Sequence, residues 1–168
     1  MPEPLDETQD FERLLRETYR MVFQIAYSVL SNPADAEEVA QDAFWQAYRQ
    51  RSSLRDPRSF RAWVGRMSWR LALNRRRSIL RSVRRDGDWL ATRPQHADGE
   101  SEAQARQFAA RVEQHIARLP EKLRAVLLLS AVEELDAASI GAILQIPEGT
   151  VRSRLHLARR QLLKEVTP

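Results

Sequence analysis

The sequence predicts an all-α protein: two small helical domains joined by a flexible linker, the C-terminal one a helix-turn-helix. Three observations point there. Apolar residues recur at helical spacing in both halves of the 168-residue chain. Capping residues followed by proline mark two helix starts in the N-terminal half. A central stretch loses apolar periodicity and fills with Gly, Pro, Asp and polar residues. Few runs alternate with period two and few turn pairs suggest hairpins, so no strand is expected.

The first helix carries Phe11, Leu14, Leu15, Tyr19, Val22, Phe23, Ala26, Val29 and Leu30 at helical spacing. It ends at Ser31-Asn32-Pro33, where Asn32 caps a second helix with Pro33 at its first position. That helix runs to about Arg49 with Ala36, Val39, Ala40, Ala43, Phe44 and Ala47 on its apolar side. Asp56-Pro57 repeats the start for a third helix, through Phe60, Val64, Met67 and Leu71 to about Arg81. The central stretch "SVRRDGDWLATRPQHADGE" reads as a tether. Residues 83–100, extended at ~3.3 Å each, would reach roughly 60 Å, about 18 base pairs of duplex. Helices resume near Ser101 with Phe108, Val112, Ile116 and Leu119, and Pro120 opens "EKLRAVLLLSAVEE". Asp136 caps a short helix, Ala137–Leu144, and a last helix spans about Glu148–Glu165. The division is therefore residues 1–81, a linker over 82–105, and residues 106–168.

Composition narrows the function. The apolar fraction of 43% is enough for packed cores. The net charge is only +4, yet the basic residues are nearly all arginine, whose planar fork suits phosphate and guanine. With no cysteine there is no disulfide or thiolate metal site, and His96, His115 and His156 lack metal-ligand spacing. No Gly-rich phosphate loop occurs, and the adjacent pairs Glu37-Glu38 and Glu133-Glu134 diverge by about 100° on a helix. No catalytic residue, cofactor or metal is expected. The N-terminus is acidic and unlike a signal peptide, and no apolar run approaches a membrane span, so a cytoplasmic protein is expected.

A short helix, a tight turn and a longer helix form a helix-turn-helix unit over the last two helices. Gly141 and Ala142 permit close packing, and Ile140, Ile143, Leu144, Ile146, Val151, Leu155 and Leu162 supply its core. Thr150, Arg152, Ser153, Arg154, His156, Arg159 and Arg160 crowd the last helix, largely on or beside its opposite face. In such units that region enters a major groove. The stretches "LPEKLRAVLLL", "IGAIL" and "IPEGTVRSRLHLARRQL" resemble the promoter-binding domain of the extracytoplasmic-function (ECF) sigma factors. The resemblance implies that these seven residues contact the −35 element and that this domain touches the flap of RNA polymerase. Three positions depart from the family: Gln145 replaces a turn glycine, Leu157 a frequent arginine and Ser139 a frequent glutamate. A left-handed Gln145 would cost ~1 kcal/mol or more.

The N-terminal half extends the resemblance. From Arg61 through Arg85 there are nine arginines and no acid, with Trp63 and Trp69 interleaved, a pattern suited to single-stranded or melted DNA. Trp63 also fits an ordinary core position beside Phe60, Val64 and Met67. "SFRAWVGRMSWRLALNRRR" resembles the family's −10 segment, which implies DNA contacts by Arg61, Arg66, Trp69, Arg70, Asn74, Arg75, Arg76 and Arg77. "NPADAEEVAQDAFWQAYRQ" resembles the core-binding segment, which implies contacts from Asp35, Glu38, Gln41, Asp42 and Phe44 to the polymerase clamp helices. The family further implies an anti-sigma factor as regulator, with retention at the membrane through that partner. The alternatives are a stand-alone helix-turn-helix repressor or activator and a helical adaptor. The acidic second helix fits the former poorly, and the adaptor leaves the arginine track unexplained.

Overall fold

The computed structural model describes residues 7–86, 100–131 and 133–166. Its helices are α1 Glu7–Leu30, α2 Pro33–Arg49, α3 Phe60–Asp86, α4 Glu100–Arg118, α5 Glu121–Ala131, α6 Ala137–Leu144 and α7 Glu148–Val166. There is no strand among the described residues. Two short 3-10 turns, Arg51–Ser53 and Pro57–Ser59, link α2 to α3.

The caps form as the residue types dictate. Asn32 accepts the Asp35 amide at 3.1 Å, Asp56 that of Arg58 at 3.0 Å, and Asp136 that of Ser139 at 2.8 Å. The Asp56-Pro57 pair opens a 3-10 turn that leads into α3 rather than α3 itself. Helix ends are less expected. Ser31, Glu134 and Gln145 all sit at positive φ (54, 51 and 57°), the left-handed conformation in which a helix commonly terminates on glycine. At Glu134 the chain has already left α5, and the Leu135 amide donates to the Leu129 carbonyl. The expected extension of that helix through Glu133-Glu134 is therefore corrected: it stops at Ala131.

The linker also shortens. Residues 82–86, read as tether, continue α3, and residues 100–105, placed within the linker by the domain division although helix was expected from near Ser101, belong to α4. The rest of the predicted linker, residues 87–99, lies outside the described residues.

The two halves pack directly on one another. One core holds Met21, Ile25, Phe60 and Val64 together with Ala125, Val126, Leu129, Ile140, Ile143, Leu144 and Val151. Helix α1 packs on α2, α3 and α5, and α6 packs on α3. At that crossing a Cβ on Gly65 would lie 3.1 Å from Ile143 Cγ1 and 3.3 Å from Ile25 Cδ1, so only glycine admits this approach unchanged. A smaller core of Leu119, Leu123, Leu127 and Ala158 seats α7 on α5. Within the helix-turn-helix, a Cβ on Gly141 would meet the Ile146 carbonyl at 2.8 Å, whereas Ala142 is exposed.

Gln145, at φ 57° and ψ 45°, makes the turn that aims α7. Gln145→Gly should stabilise the fold by about 1 kcal/mol by relieving the left-handed strain. Urea unfolding of the two proteins measures this; an unchanged midpoint would count against the strain.

Candidate nucleic-acid and protein interfaces

Helix α7 divides cleanly. Val151 and Ala158 are fully buried and Leu155 and Leu162 half-buried, which turns Arg152, Ser153, His156, Arg159 and Arg160 to solvent. Thr150 and Arg154 are half-buried at the margins. Arg152 pairs with Glu148 one turn earlier, and Ser153 Oγ donates to the Thr150 carbonyl at 3.1 Å. Leu157, where an arginine is frequent, exposes 36% of its surface on this side. The result is an exposed basic helix end carried on a rigid turn, the arrangement that places side chains against base edges and phosphates.

Helix α3 separates the predicted −10 residues into groups. Arg66, Arg70, Asn74 and Arg77 follow at i, i+4, i+8 and i+11 and form one stripe, exposed apart from half-buried Arg66. Arg75 turns instead toward α2. It donates to Asp35 Oδ1 at 2.8 and 3.2 Å and to Glu38 Oε2 at 2.5 Å, which raises its pKa further. Arg76 pairs with Glu121 of α5, and Arg61 lies 3.9 Å from Glu133. Trp69 is half-buried against the shared core and against a second cluster of Ala26, Val29, Ala36, Val39 and Ala72, and Trp63 packs beside Phe60 with ring centroids 6.0 Å apart. Ser68 is fully buried, its hydroxyl donating to the Val22 carbonyl at 2.8 Å.

On α2, Glu38, Gln41 and Asp42 are exposed and Asp35 is half-buried under Arg75. Phe44 lies on the apolar side, as its spacing predicts, and not on the exposed stripe with the other expected polymerase contacts: it is 6% exposed and stacked 6.0 Å from Tyr19. Its buried ring supports α2 from below and offers no contact surface. Tyr19 in turn donates to Glu37, which also accepts from Gln41 at 3.2 Å. Burial and then that carboxylate push the Tyr19 hydroxyl up to about 12.

The sequence reading missed Trp45, which is 62% exposed. It stacks on Tyr48 at 6.2 Å, and the Arg51 guanidinium covers the other aromatic at 4.4 Å. Trp45 stands i+4 from Gln41 and i+7 from Glu38, so helical spacing alone places it on the acidic stripe. It missed Arg124 as well, an arginine inside the apolar run "LPEKLRAVLLL". That guanidinium donates to the Ser28 carbonyl of α1 and, at 2.7 Å, to the Ala117 carbonyl of α4. Burial lowers its pKa, and nearby Arg76 lowers it further.

No group of three metal-ligating side chains occurs among the described residues, and no described helix is long and apolar enough to cross a membrane.

Comparison with known proteins covers both halves. Residues 14–82 match the model of sigma-70 region 2, and residues 109–162 match sigma-70, region 4. The chain is 32% identical over 154 residues to the ECF RNA polymerase sigma factor SigW of Bacillus subtilis, spanning 86% of this chain and 82% of that one. It is 30% identical to the RNA polymerase sigma-H factor of Pseudomonas aeruginosa, spanning 94% and 86%. Among solved structures, it is similar to the sigma factor RpoE in complex with the anti-sigma factor NepR from Bartonella quintana. That match has a TM-score of 0.77 at 21% identity, over 94% of this chain and 97% of that one. It is also similar to CnrH in complex with the cytosolic domain of CnrY, with a TM-score of 0.66 at 25% identity over 95% and 88%.

The Arg75 ion pairs are partly exposed, so their contribution is small. A double-mutant cycle of Asp35→Asn with Arg75→Gln should give a coupling of about 0.5–1 kcal/mol that falls with added salt. A coupling of zero at low salt would show that the pair does not hold α2 to α3.

Proposed function

The chain belongs to the extracytoplasmic-function (ECF) family of RNA polymerase sigma factors, and on that premise we propose how its surfaces share the work of initiation. It is a transcription initiation factor. The exposed half of α7, with Thr150, Arg152, Ser153, Arg154, His156, Arg159 and Arg160, reads the −35 element. The α3 stripe of Arg66, Arg70, Asn74 and Arg77, joined by Arg61, Trp69, Arg75 and Arg76, takes the −10 region. Asp35, Glu38, Gln41 and Asp42 on α2 dock on the polymerase clamp helices, and the C-terminal half meets the flap. The polymerase performs the chemistry and this chain, which is no enzyme, supplies address. It acts in the cytoplasm.

One structural relative is in complex with the anti-sigma factor NepR, and another, CnrH, with the cytosolic domain of CnrY. An anti-sigma factor regulates this chain in the same way, and a membrane-bound partner of that kind would retain it at the membrane. Linking two weak DNA-binding surfaces on one polymerase raises the effective concentration of each, so affinity arises in the holoenzyme.

The observation that carries the reading is the basic, exposed face of α7 set on a helix-turn-helix whose other face is packed on the core through buried Val151 and Ala158 and half-buried Leu155 and Leu162. A stand-alone repressor or activator would use that face too, but would leave the acidic stripe of α2 without a purpose.

Run-off transcription of a genomic fragment library, with core polymerase alone and with this protein added, tests the assignment. New starts sharing paired upstream elements at fixed spacing are expected; tight DNA binding by the protein alone, with no new starts, would overturn it. Arg152→Ala with Arg159→Ala should lower −35-dependent initiation about 10- to 100-fold and leave core binding unchanged. Asp42→Arg should do the reverse, weakening competition for core enzyme about tenfold.

A further inference from the structure

The outward face of α7 is not uniformly basic. Gly149, Ser153 and Leu157 follow at i, i+4 and i+8, so they form one row along the helix, and all three are exposed. The row lies opposite buried Val151 and Ala158, which seat α7 on the core. Arg152, His156 and Arg159 stand on one flank of it, half-buried Arg154 stands on the other, and Arg160 follows beyond its end. Over the first three turns the part of α7 that stands furthest out is therefore uncharged, with cations beside it.

Most of that row is low. A Cβ on Gly149 would meet nothing in the chain within 4 Å. Ser153 folds its hydroxyl back on the Thr150 carbonyl at 3.1 Å. Leu157 is the member that rises from it, with 36% of its surface in water. A singly exposed leucine needs no explanation by itself. This one is set apart by its place inside a frame of arginines, on the helix face turned to DNA.

The dimensions and the chemistry of the groove say what it meets there. At 1.5 Å per residue, Gly149 to Leu157 covers about 12 Å, comparable to the width of a B-DNA major groove and to roughly three to four base pairs along it. Arginines on the flanks can reach phosphates and guanine edges. A leucine has no hydrogen bond to give, and over guanine, adenine or cytosine it would cover donors and acceptors without satisfying them. The 5-methyl of thymine is the apolar group that the groove offers. Bringing it against Leu157 removes both from water, which for one methyl is worth about fourfold in affinity.

We propose that Leu157 is a specificity-determining residue of this chain and selects a thymine in the −35 element through its 5-methyl group. An arginine, frequent at this position in the family, would favour guanine instead, so the substitution changes which base is chosen. That role rests on the −35 reading of α7 given above.

Holoenzyme assembled from core polymerase and the full-length chain, offered promoters randomised upstream of a fixed −10 region, defines the preferred −35 element. Each thymine of that element, in either strand, is then replaced by deoxyuridine, which lacks only the 5-methyl, and holoenzyme binding is measured by competition. Because the change is made in the DNA, the fold of the protein is untouched. At one position the replacement should weaken binding about fourfold. Leu157→Ala should bind the unmodified element about fourfold more weakly and lose nothing further at that position, whereas a merely structural role would weaken both DNAs alike. Leu157→Arg should move the preference at that base pair from thymine to guanine. Deoxyuridine tolerated at every position, an element of G·C pairs alone, or a loss that persists undiminished in Leu157→Ala would overturn the proposal. Binding indifferent to the whole −35 sequence would remove the −35 reading of α7, and the role of Leu157 with it.

Discussion

Most of this structure depends on the close approach of α6 to α3 at Gly65. A side chain at that position would require Ile143 and Ile25 to give by a few tenths of an ångström in a packed core. With glycine there, Ile143 reaches Ile25, and the apolar faces of α1, α3, α5 and α6 become one interior. The buried hydroxyls fit the same arrangement. Ser68 is satisfied by the Val22 carbonyl, and Ser28 Oγ by the Ile25 carbonyl at 2.6 Å. Arginine serves the junction better than lysine would. One planar guanidinium at Arg124 can address carbonyls from two helix ends, which a single ammonium on a flexible stem does with less directional control.

Much of the fold was legible from sequence because its signals are local. Asn32, Asp56 and Asp136 each cap the helical turn that begins beside them by short-range hydrogen bonds, and proline makes two of those starts unmistakable. A left-handed turn at Gln145 is likewise set by the motif around it. The helix-turn-helix was readable for the same reason, since its exposed and buried residues alternate within a single helix.

The features that escaped are long-range. Ile25, Val64, Leu129 and Ile143 each look like core of their own half, and nothing in their spacing says that they meet. The Arg75 contacts to Asp35 and Glu38 join residues 40 and 37 positions apart, so a basic track and an acidic helix read as two independent surfaces are partly one neutralised seam. Phe44 was read both on the apolar side of α2 and as a polymerase contact, because one apolar residue beside acids is equally consistent with core and with an anchor; its burial beside Tyr19, 25 positions earlier, agrees with the first. Trp45 was overlooked for the opposite reason, as one apolar residue among many in an amphipathic helix.

The shared interior makes any separation of the halves costly in water. Separating the halves uncovers Ile25, Val64, Leu129 and Ile143 at once, a contiguous apolar patch of the kind that drives self-association in water. An opened molecule without a large partner to cover it is thus prone to aggregate. The same contact that keeps the halves together also keeps that patch out of water.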